Sequence, residues 1–291
     1  MARIIRVAVA NITTHPHSPE NYITIFTEVL KLCRSAKVRG SDHLILGKFS
    51  PISEGNPLGG IWGQFYRYVN IDKSMPALDL DKLEPIFSKD GSATIPIPDN
   101  IKPNLRMVDF VFFPHGHRLF FSLEHISPYT ALSAFVALFN ALQIFEKHGD
   151  VNVILEQKSD IMTEISKLES LTRLTLKFTI PNGDDLSHLK NSLTTRYGKR
   201  LNATQVTESY TGSRKRSLTP KNDDETMASI ELALSNGEVT AEGFQEGTKV
   251  ALKSKRYPEV FTQRYNPNQM TKVYTLQSMA RSLMDKFTRK G

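Results

Sequence analysis

Two imidazoles separated by one glycine, His115-Gly116-His117, are the side chains in this sequence best suited to acid–base or metal chemistry. Residues i and i+2 of a strand share a face, and imidazole both titrates near neutrality and ligates zinc. Their setting argues against such a role. They fall among turn-forming residues, and Glu124 and His125 lie about seven residues further on, roughly 23 Å along an extended chain. His115 and His117 are therefore expected at a solvated hairpin tip. His15-Pro16-His17 repeats the spacing in another turn and shares the weakness. Asp184-Asp185 is a carboxylate pair at an expected helix start, where acidic side chains complement the dipole. Glycine-rich phosphate loops, H-E-x-x-H helices, G-x-S-x-G elbows and spaced carboxylate clusters do not occur in the sequence. No catalytic residue, metal-ligand set or cofactor is assigned.

Charge gives a stronger signal. From Leu171 to Gly291 there are 20 Lys plus Arg against 12 Asp plus Glu, leaving 17 and 18 for residues 1 to 170, so the excess of +8 lies in the C-terminal part. Within it, Arg214-Lys215-Arg216 forms one basic cluster, with Lys199-Arg200 before it and Lys221 after it. Lys253, Lys255 and Arg256 form a second. Clustered cations neutralise phosphates and release counterions, which supplies affinity without sequence preference. These six residues, Arg214, Lys215, Arg216, Lys253, Lys255 and Arg256, are the expected nucleic-acid contacts, with DNA as the expected partner. Tyr197 and Tyr210 are expected to offer stacking faces.

The elements that would position these groups follow from periodicity. A 291-residue chain with 40% hydrophobic and 23% charged residues is ordinary globular material, enough for one large or two modest domains. Cys33 is the only cysteine, which excludes an intramolecular disulfide and single-chain thiolate clusters. No apolar run is long enough to span a bilayer, so a cytoplasmic protein without membrane contact is expected. Strands are expected at 3–12, 43–47, 60–69, 151–155 and 171–180, with a loop between 47 and 60. Val108 to Phe113 and Arg118 to Leu123 flank Pro114-His115-Gly116-His117 as a β-hairpin. Helices are expected from Glu20 to about Gly40, from Ser127-Pro128 to Phe145, over 160–168, from Asp184 and over 270–287. The proline-rich stretch 72–104 reads as extended surface chain. Residues 202–226 lack an apolar period and read as mobile. Ala228 to Leu234 and Glu238 to Phe244 read as a hairpin about Asn236-Gly237, with 249–253 and 260–265 completing a small sheet.

The expected fold is therefore α+β, two lobes of mostly antiparallel sheet with helices on one face and ferredoxin-like order as one candidate. The expected divisions are a lobe over 1–195, a mobile basic linker over 196–227, and a small sheet plus C-terminal helix over 228–291.

Pro103-Asn104-Leu105-Arg106, the Val108 to Phe113 strand, His117-Arg118, the Ile126-Ser127-Pro128 helix start and Leu171 to Pro181-Asn182 carry a resemblance. This order resembles an uncharacterised bacterial family of prophages and defence islands, and from about residue 100 onward it is distantly similar to RexA-type phage-exclusion proteins. The resemblance implies phage exclusion or abortive infection, non-specific DNA binding and a homodimer, with a second defence protein as a further partner. It carries over no catalytic residue. The alternatives are a nuclease-type toxin working through histidines, and a protein-binding module whose partner covers the proline-rich segment.

Overall fold

The structure, a computed structural model, describes residues 2–15, 17–73, 75–87, 97–157, 161–180, 192–193, 195–201, 203–254 and 258–288. It is α+β, with antiparallel strands throughout its two main sheets.

The larger sheet is built on β1 (Arg3–Thr14), β2 (Ala36–Arg39), β3 (Asp42–Ser53), β4 (Asn56–Val69), β7 (Arg106–Phe113), β8 (Arg118–Ser122), β9 (Val151–Leu155) and β14 (Val260–Tyr265). Their order among the described residues is β14-β1-β8-β7-β4-β3-β2, with β9 also on β1. One edge of β1 is shared end to end. Arg3 to Ala8 pair with β14, and Ala10 to Thr14 pair with β9. The stretch read as a loop between 47 and 60 is mostly strand, since β3 runs on to Ser53 and turns at Gly55 into β4. Glycine there signals close approach: a Cβ at Gly63 would lie 2.2 Å from the Lys48 carbonyl oxygen and 2.8 Å from the Phe110 ring.

Alternation along these strands loads both faces with apolar side chains. Ala8, Ala10, Ile12, Phe110, Phe112, Leu119 and Phe121 face α1 (Pro19–Leu32), α2 (Pro128–Phe139) and α3 (Leu142–His148). Serine side chains cap α1 and α2, each with proline in the first turn: Ser18 accepts from Asn21 N–H and Ser127 from Thr130 N–H. Phe26 stacks on Phe112 at 4.9 Å, and Phe65 meets Phe110 and Phe135 at 4.8 Å. The opposite face, Ile5, Val7, Val9, Val111 and Phe120, is covered by α6 (Lys272–Thr288) through Leu276, Met279, Ala280 and Leu283. Lys272 anchors that helix on buried Asp109 at 2.8 Å and on Glu124 at 2.5 Å. Burial alone would lower the lysine's pKa, but these two bonds outweigh it and raise it. Helices thus lie on both faces of this sheet, because the C-terminal helix returns to it.

The smaller sheet has the order β11-β10-β12-β13, from β10 (Ser170–Thr179), β11 (Gln205–Thr211), β12 (Gly237–Gln245) and β13 (Thr248–Lys253). Its inner face carries Leu174, Leu176, Phe178, Val206, Val239 and Ala241 and packs on α4 (Ile161–Ser166) and α5 (Asp224–Asn236). The β10-β11-α5-β12-β13 succession is not the split βαβ order of ferredoxin-like folds.

Three sequence expectations are corrected here. Residues 224–236 are a helix, not a strand: Asp223 caps them by accepting from Thr226 N–H at 2.9 Å, with Asp224 and Glu225 in the first turn. Ala228, Ile230, Leu232 and Leu234 alternate like a strand because α5 is buried on several sides, against its own sheet and against β9. Gly237 is no hairpin residue either; a Cβ on it would lie 1.8 Å from the Lys177 carbonyl oxygen, so glycine lets β12 approach β10. The expected linker 196–227 contributes β11 and the turn that closes it, and β14 with α6 belong to the first sheet. The expected helix at Asp184-Asp185 lies outside the described residues.

The proline-rich stretch holds a separate two-stranded hairpin, β5 (Ala77–Asp79) with β6 (Glu84–Ile86). Among the described residues no single helix is long and apolar enough to cross a membrane, and α2 with α3 reach that measure only as a pair bent by 66°.

Candidate nucleic-acid interface and interlobe cleft

The outer face of the smaller sheet is polar and mostly basic. Strand alternation sends Arg173, Thr175, Lys177 and Thr179 of β10 outward, beside Gln205, Thr207, Ser209 and Thr211 of β11. On the other side stand Glu238, Thr240, Glu242 and Phe244 of β12, then Lys249, Ala251 and Lys253 of β13. Register places Arg173 beside Glu242, and Thr240 beside Lys253. Glu242 takes Lys249 at 3.0 Å and Arg173 at 3.7 Å, and the Lys249 hydrogen bond holds its carboxyl below the usual range.

Of the expected contacts, Arg214, Lys215 and Arg216 are exposed, on a turn in which Ser213 and Arg216 exchange both backbone bonds at 2.9 and 3.1 Å. Gly212 N–H to Thr172 O and Leu218 N–H to Leu171 O, 2.8 and 2.9 Å, tie that turn to β10. Arg214 reaches over the Phe244 ring, 4.7 Å from its centroid, which brings the first basic cluster to the edge of the outer face. Lys253 lies on that face. Lys255 and Arg256 lie outside the described residues, as do the side chains of Lys199 and Arg200. Tyr197 and Tyr210 are not stacking platforms: both donate to Glu208 at 2.8 Å and both pack on the inner core. Burial, then the bond to Glu208, raises both phenols, Tyr210 to about 12. Sequence reasoning missed Arg173, Lys177 and Lys249, although the alternation of 171–180 already set the first two on one face.

One end of the outer face runs under the first lobe. Asn152 donates to Thr179 Oγ1 at 2.6 Å, Asn11 to Asn236 Oδ1 at 2.6 Å, and Gln157 Nε2 to the Gly237 carbonyl at 2.7 Å. Beside this polar seam is a cavity of about 270 Å³ between α2, β9 and the ends of β10, β11 and β12.

The histidines lie elsewhere and are brought together across 100 residues. His117 is buried, not solvated at a tip, because α6 and the start of α1 cover the β7–β8 turn; a Cβ on Gly116 would strike Met284. His117 Nε2 sits 3.1 Å from His17 Nε2, and His17 Nδ1 sits 3.0 Å from the Tyr22 hydroxyl. Thr14 N–H donates to that hydroxyl at 3.4 Å, which ties Tyr22 and His17 to the end of β1. Burial pushes His117 down to about 3, with the charges of His17, Arg118 and His115 adding to it. The two Nε2 atoms face each other, so the pair braces the α1 start against the hairpin. Among the described residues no group of three or more His, Cys, Asp or Glu is placed to hold a metal ion.

A family model described as a domain of unknown function (DUF4747) matches residues 3–281. No curated protein matches the chain.

Proposed function

Because the chain belongs to the DUF4747 family, whose description names no activity, we propose a function from the geometry and charge of the second sheet: sequence-independent binding of nucleic acid, DNA first, on its outer face. The observation that carries this is the division of the sheet. One face is hydrocarbon core, and the other presents Arg173, Lys177, Lys249, Lys253 and the neighbouring Arg214 among small hydroxyl side chains, with Glu238 and Glu242 as its carboxylates. Cations spaced across an open sheet contact phosphates, while hydroxyls add hydrogen bonds to the backbone without reading bases. The role is non-enzymatic. The likeness of residues 100–291 to phage-exclusion proteins supports placing it in phage exclusion or abortive infection.

Binding measured by fluorescence anisotropy over a salt series tests the reading. Four to six phosphate contacts should weaken affinity at least about a hundredfold between 50 and 200 mM salt. Replacing Arg173, Arg214, Lys215, Arg216, Lys249 and Lys253 by Ser should flatten the slope with the fold intact. No binding to DNA or RNA at 50 mM salt, or an unchanged slope in the variant, overturns it.

A second reading concerns protein partners. The β5–β6 hairpin exposes Leu78, Leu80, Leu83 and Phe87, with Leu80 at 76% and Leu83 at 75% exposure, an apolar arm of the kind buried at interfaces. We assign it to the homodimer contact. Leu80→Asp with Phe87→Asp should convert a dimer to a monomer in light scattering, and a wild type that is monomeric at all concentrations removes this assignment.

A further inference from the structure

We propose that the interlobe cavity receives a single nucleobase, turned out of a single strand whose backbone lies on the outer face of the second sheet. This rests on the nucleic-acid reading above and adds a site to it.

Three observations point to such a group. The cavity, about 270 Å³, is close to the lower end of the ~300–1,000 Å³ range of small-molecule sites, so it suits one planar ring system. Its walls are largely apolar, from Tyr129, Leu132 and Val136 on α2 and Ile154 on β9. Tyr129 and Val136 are 42% and 41% exposed, so the apolar wall continues out to solvent at the rim and a ligand can enter.

The third observation is polar. Gln157 is only 6% exposed and lines the cavity. Its Nε2 is fixed by the Gly237 carbonyl, which also fixes the amide orientation, since the reverse would set two oxygens against each other. Among the described residues the Oε1 atom, itself buried, has no hydrogen-bond partner. A buried acceptor without a partner calls for a donor. Nucleobases supply one, because the Watson–Crick edge of each carries N–H groups, and the π-faces fit apolar walls.

Lys177 connects this cavity to the outer face. It lines the cavity and alternates with Thr175 and Thr179 along the same β10 face. A phosphate held by Lys177 would leave its own base at the cavity mouth. A duplex keeps its bases stacked and cannot make this contact without extrusion.

Two oligonucleotides of equal length and charge provide the test, one with bases and one built of abasic sites, bound to the full chain at 50 mM salt. The base-bearing strand should bind at least about tenfold more tightly, as one base–apolar stacking contact of ~1–3 kcal/mol allows. Val136→Trp, which fills the cavity from an exposed helix position, should bring that strand down to the abasic affinity. It should leave abasic binding and its salt slope unchanged. Uncharged adenosine and cytidine, followed by saturation-transfer NMR, supply an arm that needs no phosphate: signal in the wild type and none in Val136→Trp is expected. Equal binding of the two strands, or indifference of the base-bearing strand to Val136→Trp, overturns the cavity proposal and leaves the phosphate reading standing. Nucleoside signal with no oligonucleotide binding overturns the phosphate reading and with it the backbone path, keeping only a nucleoside site. Silence in every arm overturns both.

Discussion

At the scale of single residues, His117 is an unusual position, with φ of 54°, little exposure and an imidazole held neutral to about pH 3. In the unfolded chain a histidine takes up its proton near pH 6.5. Between those two values the unfolded state binds the proton and the folded state does not, so stability falls as the pH drops. Acidification from pH 7 to 4.5 should cost about 2 to 3 kcal/mol at this site. The groups facing His117 are His17, Tyr22, Arg118 and His115, and none of them offers it a carboxylate. His117→Asn keeps a residue tolerant of positive φ and removes the titration. Urea melts at the two pH values should show a smaller acid penalty in that variant; an equal penalty would place the acid sensitivity elsewhere. The proximity of His17 and His117 was not legible in the sequence, because it depends on how α1 enters relative to a hairpin 100 residues away. The charges of Arg214 to Arg216 were legible, but their neighbours Arg173, Lys249 and Lys253 become one surface only through strand register.

Elements whose two sides differ were the readable ones. The β7–β8 hairpin and the capped starts of α1 and α2 follow from alternation, spacing and Ser-Pro chemistry, but α1 stops at Leu32, where the expected helix to about Gly40 gives way to β2, and the expected helix to Phe145 breaks into α2 and α3. α5 was misread because burial on several sides erases the stripe that marks a surface helix. The basic turn at 212–218 was misread for another reason: its order comes from bonds to β10 backbone, which no composition reports. This changes an expectation about proteolysis. Lys82, at the exposed turn between β5 and β6, should be cut by trypsin before Arg214, Lys215 or Arg216. Mass spectrometry of the first fragments decides this, and early cleavage at Arg214 would mean that the turn opens readily.

For the whole molecule, the Asn11, Asn152 and Gln157 contacts join the two sheets, alongside the packing of α5 on β9. Asn11→Leu would leave the amide of Asn236 buried without that partner, at a cost of about 1–3 kcal/mol. Because the loss falls on the seam and on neither core, unfolding followed by urea should broaden or split into two transitions. A single transition of unchanged steepness would show that the lobes are held together by more than this seam. The seam itself was invisible in the sequence, where asparagine and glutamine look like surface residues.

The path of the chain has a consequence for biosynthesis. It leaves the first sheet after Gln157, builds the whole second lobe, and returns at Pro258, which bridges back to Gln157. The second lobe is thus spliced into the first as a loop with adjoining ends. A ribosome finishes it while β14 and α6 are still unmade. Until those last segments emerge, the Arg3 to Ala8 edge of β1 has no β14, and Val7, Val9, Val111 and Phe120 have no helix over them. Nascent chains at that stage combine a lobe able to close with one that is sticky along both an edge and a face, the condition that recruits chaperones. The final segment is therefore a latch, and whatever delays its arrival prolongs the interval in which the first lobe can pair with the wrong strand.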